Sequence, residues 1–171
     1  MRYSDIITEV ERQSKHKKMK VVVYKVDNFT KEMQYNKRND PKIISAVATA
    51  IRDITKYYSF KGSLKGRFKA SGDSGKSKNL TQIDNNVYHY HIGPDYKEHR
   101  KDADLVSNNV IEFQVFETFE VNKNTGNKKP ILAIIFFSIT THGKGRWNIN
   151  DIVDITDIED TDDLEKVATR L

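Results

Sequence analysis

VIEFQVFETFEV at residues 110–121 and ILAIIFFSIT at residues 131–140 decide the fold of this chain. In the first stretch Ile111, Phe113, Val115, Phe119 and Val121 alternate with Glu112, Gln114, Thr118 and Glu120, with Phe116 as the exception. A period of two belongs to a strand with one face on a core and one toward water, so a half-buried antiparallel strand is expected. The second stretch is apolar on both faces and predicts a central strand. Between them NKNTGNKKP supplies the turn of a hairpin.

Working outward, NVYHYHI at 86–92 reads as a further strand, with Val87, His89 and His91 on one face and Tyr88, Tyr90 and Ile92 on the other. KVVVYKV at 20–26, rich in β-branched residues, predicts another strand, ended by Asp27 and Asn28. The clearest helix follows: Asp40 can cap it, Pro41 suits its first turn, and Ile44, Val47, Ile51, Ile54 and Tyr58 form one apolar stripe that should cover the sheet. Ser4, Ile6, Ile7 and Val10 suggest a short N-terminal helix running into Lys15, Lys17, Lys18 and Lys20. The expected class is α+β, a mainly antiparallel sheet of about four strands covered on one face by helices.

Residues 61–86 contain KGSLKGRFKASGDSGKSKN, with six basic residues in nineteen and no apolar period, and read as a mobile cationic loop, a long connection of the kind that is either functional or disordered. Its glycines lack the spacing of a phosphate-binding loop, and no strand leads into them. Across 171 residues there is no cysteine, which excludes disulfides and thiolate chemistry. The start, MRYSDIITEVERQ, places charges where a signal peptide would be apolar, and ILAIIFF is too short to span a bilayer, so a cytoplasmic protein without membrane contact is expected.

The net charge of +5 conceals a split. Residues 1–148 carry 27 Lys/Arg against 16 Asp/Glu, a balance of +11, whereas residues 149–171 carry 2 against 8, a balance of −6. The division is into a single basic domain, 1–148, and an acidic C-terminal extension, 149–171. A basic body suits a polyanion such as RNA, and equally a solvated surface with a solubilising tail. The tail's first half is ambiguous between strand and helix, and Asp160 or Thr161 could cap a final helix over 162–170.

His89 and His91 share a strand face, and Asp95 follows just past its end. Three roles suit them: acid/base catalysis, metal ligation with His142 as an added ligand, or structural pairing with hydroxyls and backbone. His142 follows the central strand and is followed by Lys144, Arg146 and Trp147. Imidazole beside cations and an aromatic suits a phosphodiester, since cations stabilise the phosphorane-like charge and Trp147 could stack on a base. A solvated loop with a half-buried tryptophan is the competing explanation.

The order of these parts resembles the RelE superfamily of toxin ribonucleases, specifically its YafQ-like branch. Leu64-Lys65-Gly66-Arg67 is similar to that family's Leu-x-Gly segment, His91-Ile92-Gly93-Pro94-Asp95 to its His-Ile-x-Pro-Asp motif, and Thr141-His142 with Trp147 to its terminal His turn and aromatic. The likeness spans residues 41–147 with insertions, notably 96–108. It implies a RelE-like fold and an endoribonuclease, an mRNA interferase acting in the ribosomal A site. No metal or cofactor is implied, and an antitoxin protein is a possible partner. The RNA's own 2′-hydroxyl would attack the adjacent phosphate, leaving a 2′,3′-cyclic phosphate and a 5′-hydroxyl. On this reading His91 and His142 are base and acid in unassigned order, and Asp95 positions them. Lys65, Arg67 and Lys69, with Lys144 and Arg146, would hold phosphate, and Tyr96 and Trp147 would face the bases. The acidic tail has no equivalent in that family, and it could act as a tethered polyanion that occupies the basic cleft, as an antitoxin would. A non-catalytic RNA- or ribosome-binding module and a His/carboxylate metalloenzyme are the alternatives.

Overall fold

The computed structural model describes residues 19–60, 68–70, 85–93, 97–98, 105–106, 109–141 and 152–171. Its elements are β1 (Lys20–Lys25), α1 (Asp27–Asn39), α2 (Pro41–Phe60), β2 (Phe68–Ala70), β3 (Val87–His91), β4 (Lys97–Glu98), β5 (Leu105–Val106), β6 (Asn109–Val121) and β7 (Lys128–Thr141). A 3-10 turn (Ile155–Asp157), α3 (Thr161–Leu164) and β8 (Thr169–Arg170) complete the chain. The class is α+β. The main sheet has the order β2-β3-β6-β7-β1-β8, and β4 and β5 form a separate two-stranded ladder.

This sheet is larger than the expected four strands, and it is mixed. β1 lies parallel to β7, from Lys20 beside Ile131 to Lys25 beside Phe136, while the other described pairings of the main sheet are antiparallel. A strand apolar on both faces needs a partner on each edge. The hairpin supplies β6 to one edge of β7, and β1, far away in sequence and bound by no turn geometry, supplies the other. Residues 68–70, within the expected loop, are strand β2 on β3. The rest of that loop up to residue 84, and the expected N-terminal helix, lie outside the described residues.

The hairpin runs from Asn109 opposite Thr141 to Val121 opposite Lys128. Its turn is tied by the Asn122 side-chain oxygen, which accepts from the amides of Asn124 and Thr125 at 2.9 and 3.1 Å. Gly126 closes it at φ 72°, in the left-handed region where a side chain is disfavoured. Glu112 pairs with Ser138 and Phe113 with Phe136, so Phe137 is an extra residue in β7, a β-bulge.

β6 is not half-buried: from Val110 to Phe116 both faces are buried. The cover on its polar face is the C-terminal segment. Gln114, wholly buried, donates to the Val153 and Asn85 carbonyls at 2.7 and 3.0 Å and accepts from the Val153 amide at 2.9 Å. Thr118 donates to the Glu159 carbonyl at 3.0 Å, and past Phe116 the strand turns its other side out, leaving Phe119 46% exposed. The acidic segment therefore joins the same core through Val153, Leu164 and Ala168, and β8 pairs with β1. Several of its acids meet the chain's own lysines, Asp160 with Lys128 and Glu165 with Lys123. Asp160 caps α3 as expected, accepting from the Asp162 amide, but the helix ends at Leu164, short of the expected 162–170.

α2 begins at Pro41 as expected, with its buried stripe at Ile43, Val47, Ala50, Ile54 and Tyr58; Ile44 and Ile51 flank it, half-buried. α1 was not anticipated. Its sequence, DNFTKEMQYNKRN, has two aliphatic or aromatic anchors on the core: Phe29, buried against Phe136 with ring centroids 5.9 Å apart, and Met33. No helix among the described residues is long and apolar enough to cross a membrane.

Candidate functional site

Strand directions place the residues that carry chemistry. β3 and β7 both run antiparallel to β6, so they point the same way and end at the same end of the sheet. His91 is opposite Val110, which is opposite Thr140, so His91 and the last residues of β7 are two strand spacings apart, about 10 Å. β2 is antiparallel to β3, with Phe68 opposite Tyr90, so the chain also enters β2 at this end. The start of β2 and the ends of β3 and β7 thus lie at one end of the sheet.

Of the residues expected in the site, His91 is described in full. Asp95, His142, Lys65, Arg67, Tyr96, Lys144, Arg146 and Trp147 lie outside the described residues. Lys69 is in β2, its backbone opposite His89. His91 is buried, at 4% exposure, and the Ile92 amide after it donates to the Asn109 carbonyl at 3.0 Å, holding the strand end against β6. His89 is half-buried on the same face, as the alternation predicts, and the two rings meet edge to face, 5.5 Å apart at 74°.

A buried carboxyl group lies across from them. Glu112 is opposite His89 in register and opposite Ser138 on its other side, so the three side chains share a face. Burial pushes the Glu112 carboxyl up to about 8, the neighbouring Glu32 charge adds to the rise, and a hydrogen bond with Ser138 opposes it. Glu112 is thus largely neutral at neutral pH.

Glu32 belongs to α1, and chain geometry explains its place. β1 stops at Lys25 while β7 continues to Thr141, leaving the last part of β7 without β1 beside it. α1 takes over: the Asn28 side chain donates to the Phe137 carbonyl at 3.4 Å and to Glu32 at 3.0 Å, and the Ile139 amide donates to the Glu32 carboxylate. Side chains one helical turn apart here satisfy backbone groups at the bulge. Sequence reading missed both acids as site residues. The available signal was Glu112 itself, a carboxylate inside an apolar strand, which alternation assigned to water.

Among the described residues no group of three or more His, Asp or Glu is placed to hold a metal ion. Comparison with protein-family models, curated proteins and solved structures finds no significant match to this chain.

Proposed function

We propose that this protein is a metal-independent endoribonuclease that cleaves mRNA on the ribosome, the activity its resemblance to RelE-type toxins implies. The observation that supports the reading most is the shared strand end: the start of β2 and the ends of β3, at His91, and of β7, at Thr141, lie at one end of one sheet, and in sequence Arg67, Asp95 and His142 come within a few residues of these termini. In the reaction, a histidine takes the proton of the RNA 2′-hydroxyl as its oxygen attacks the adjacent phosphorus. The bond from phosphorus to the 5′-oxygen breaks, and the second histidine protonates that oxygen. His91 and His142 fill these roles, with Asp95 positioning an imidazole. Lys65, Arg67, Lys69, Lys144 and Arg146 stabilise charge on the phosphate, and Tyr96 and Trp147 stack on bases. The setting is cytoplasmic, and an antitoxin-like protein is the proposed restraint.

The test is cleavage of a translated mRNA, read by primer extension and by the 2′,3′-cyclic phosphate end. His91→Ala and His142→Ala should each abolish cleavage with RNA affinity retained, and unmodified protein treated with a chelator and then freed of it before the assay should stay active. Full cleavage by both variants would overturn the proposal. The burial of His91 favours one second reading, a non-catalytic RNA- or ribosome-binding module on the same scaffold. In that case the histidine substitutions are silent in vivo, and charge reversal at Lys65, Arg67 and Lys69 abolishes function.

A further inference from the structure

The helix that the sequence concealed presents an exposed outer face. Phe29, Glu32, Met33 and Asn36 turn toward the protein, and on the opposite side Lys31, Gln34, Tyr35 and Arg38 are exposed, Tyr35 at 66%. Lys31, Tyr35 and Arg38 follow one another at four and three residues, so they line one stripe about 10 Å long. Asp27, in the first turn, is the acidic residue exposed on this helix. Among the described residues neither Lys31 nor Arg38 makes an ion pair. Arg38 and Lys37 also complement the helix C-terminus, where cations are favoured, but Lys31 and Tyr35 have no such reason to be there.

α1 advances along β7, Asn28 at Phe137 and Glu32 at Ile139. Continuing at the helical rise, its seven residues after Glu32 climb about 10 Å, past the roughly 7 Å of strand left between Ile139 and Thr141. The stripe therefore ends beside the sheet end that carries the candidate site.

We propose that this stripe is a track for single-stranded RNA leading to the site, with Lys31 and Arg38 on phosphates and Tyr35 stacked under a base. It rests on the RNA reading above and adds a binding surface to it. Cations spaced around an exposed aromatic suit a single strand, which offers phosphates and unstacked base faces together. A duplex hides the faces that Tyr35 would use.

The experiment is fluorescence anisotropy of a short labelled 2′-O-methyl RNA, which binds but cannot be cleaved, on the full chain. Lys31→Glu with Arg38→Glu should weaken binding at least about tenfold and lower the slope of log affinity against log salt by about 1.5. Tyr35→Ala should weaken it by about tenfold, with the salt slope unchanged. Lys129→Glu, an exposed cation at the far, hairpin end, should leave affinity as it was. The same far-ultraviolet spectrum and melting temperature for all variants would exclude unfolding as the cause. Unchanged affinity in the α1 variants alongside histidine-dependent cleavage would overturn the track and spare the nuclease reading. No binding or cleavage by the unmodified protein would overturn both. Equal loss from Lys129→Glu, or equal competition by duplex RNA, would also overturn the track.

Discussion

Glu112, on β6, and Glu32, on α1, meet at adjacent residues of β7: the Glu112 carboxyl hydrogen-bonds the Ser138 side chain, while the Glu32 carboxylate takes the Ile139 amide. Burial of Glu112 and the Glu32 charge beside it both raise the cost of ionising Glu112, burial more, while Glu32 accepts hydrogen bonds from the Ile139 amide and from Asn28.

Stability should therefore fall as the solution is made alkaline. The unfolded chain releases the Glu112 proton near its ordinary value of 4.5, whereas the folded chain holds it to about 8. Between these limits the folded state binds the extra proton, so unfolding free energy declines with rising pH and levels off above about 8. Glu112→Gln, which imitates the neutral acid, should remove that slope. Relative to the unmodified protein it should be near neutral at about pH 5 and more stable by roughly 3–5 kcal/mol at about pH 8.5. Urea unfolding at the two pH values measures this, and parallel pH profiles would contradict it.

Glu32→Ala should loosen the end of β7. It leaves the Ile139 amide without its acceptor and the Asn28 side chain with the Phe137 carbonyl alone, a loss of about 1–3 kcal/mol. Amide hydrogen exchange should accelerate at Ile139. The same change removes a negative neighbour from Glu112 and lowers its folded-state value, so the alkaline loss of stability should be smaller and level off at a lower pH. An unchanged exchange rate at Ile139 would contradict the role of α1 as a substitute for a neighbouring strand.

Gln114→Leu should detach the C-terminal segment. The leucine keeps the volume but forfeits three hydrogen bonds, two to Val153 and one to Asn85, and leaves those backbone groups buried and unmatched. A loss of about 2–4 kcal/mol is expected. Limited proteolysis should then cut in 152–160 well before the sheet unfolds. Resistance equal to that of the unmodified protein would show that packing of Val153 and Leu164 alone holds the segment.

What could be read from sequence was local periodicity. The hairpin, β1, β3 and the start of α2 were legible because alternation, β-branching and an Asp-Pro helix start are written in neighbouring residues. The pairing of His89 and His91 on one face followed from the same rule. The rank of Glu112 did not, because alternation reports two unlike faces without saying whether the polar one meets water or another part of the chain.

Sequence by itself thus determined the α+β class, the hairpin and the strand end that presents His91. Only tertiary structure decided that β1 joins β7 in parallel, that residues 152–171 cover β6, and that 27–39 is a helix. α1 has two core anchors and takes its stability from Phe29 on Phe136 and from bonds to a strand a hundred residues away. Such terms depend on which distant groups are left unsatisfied when the sheet forms, and no local pattern encodes that.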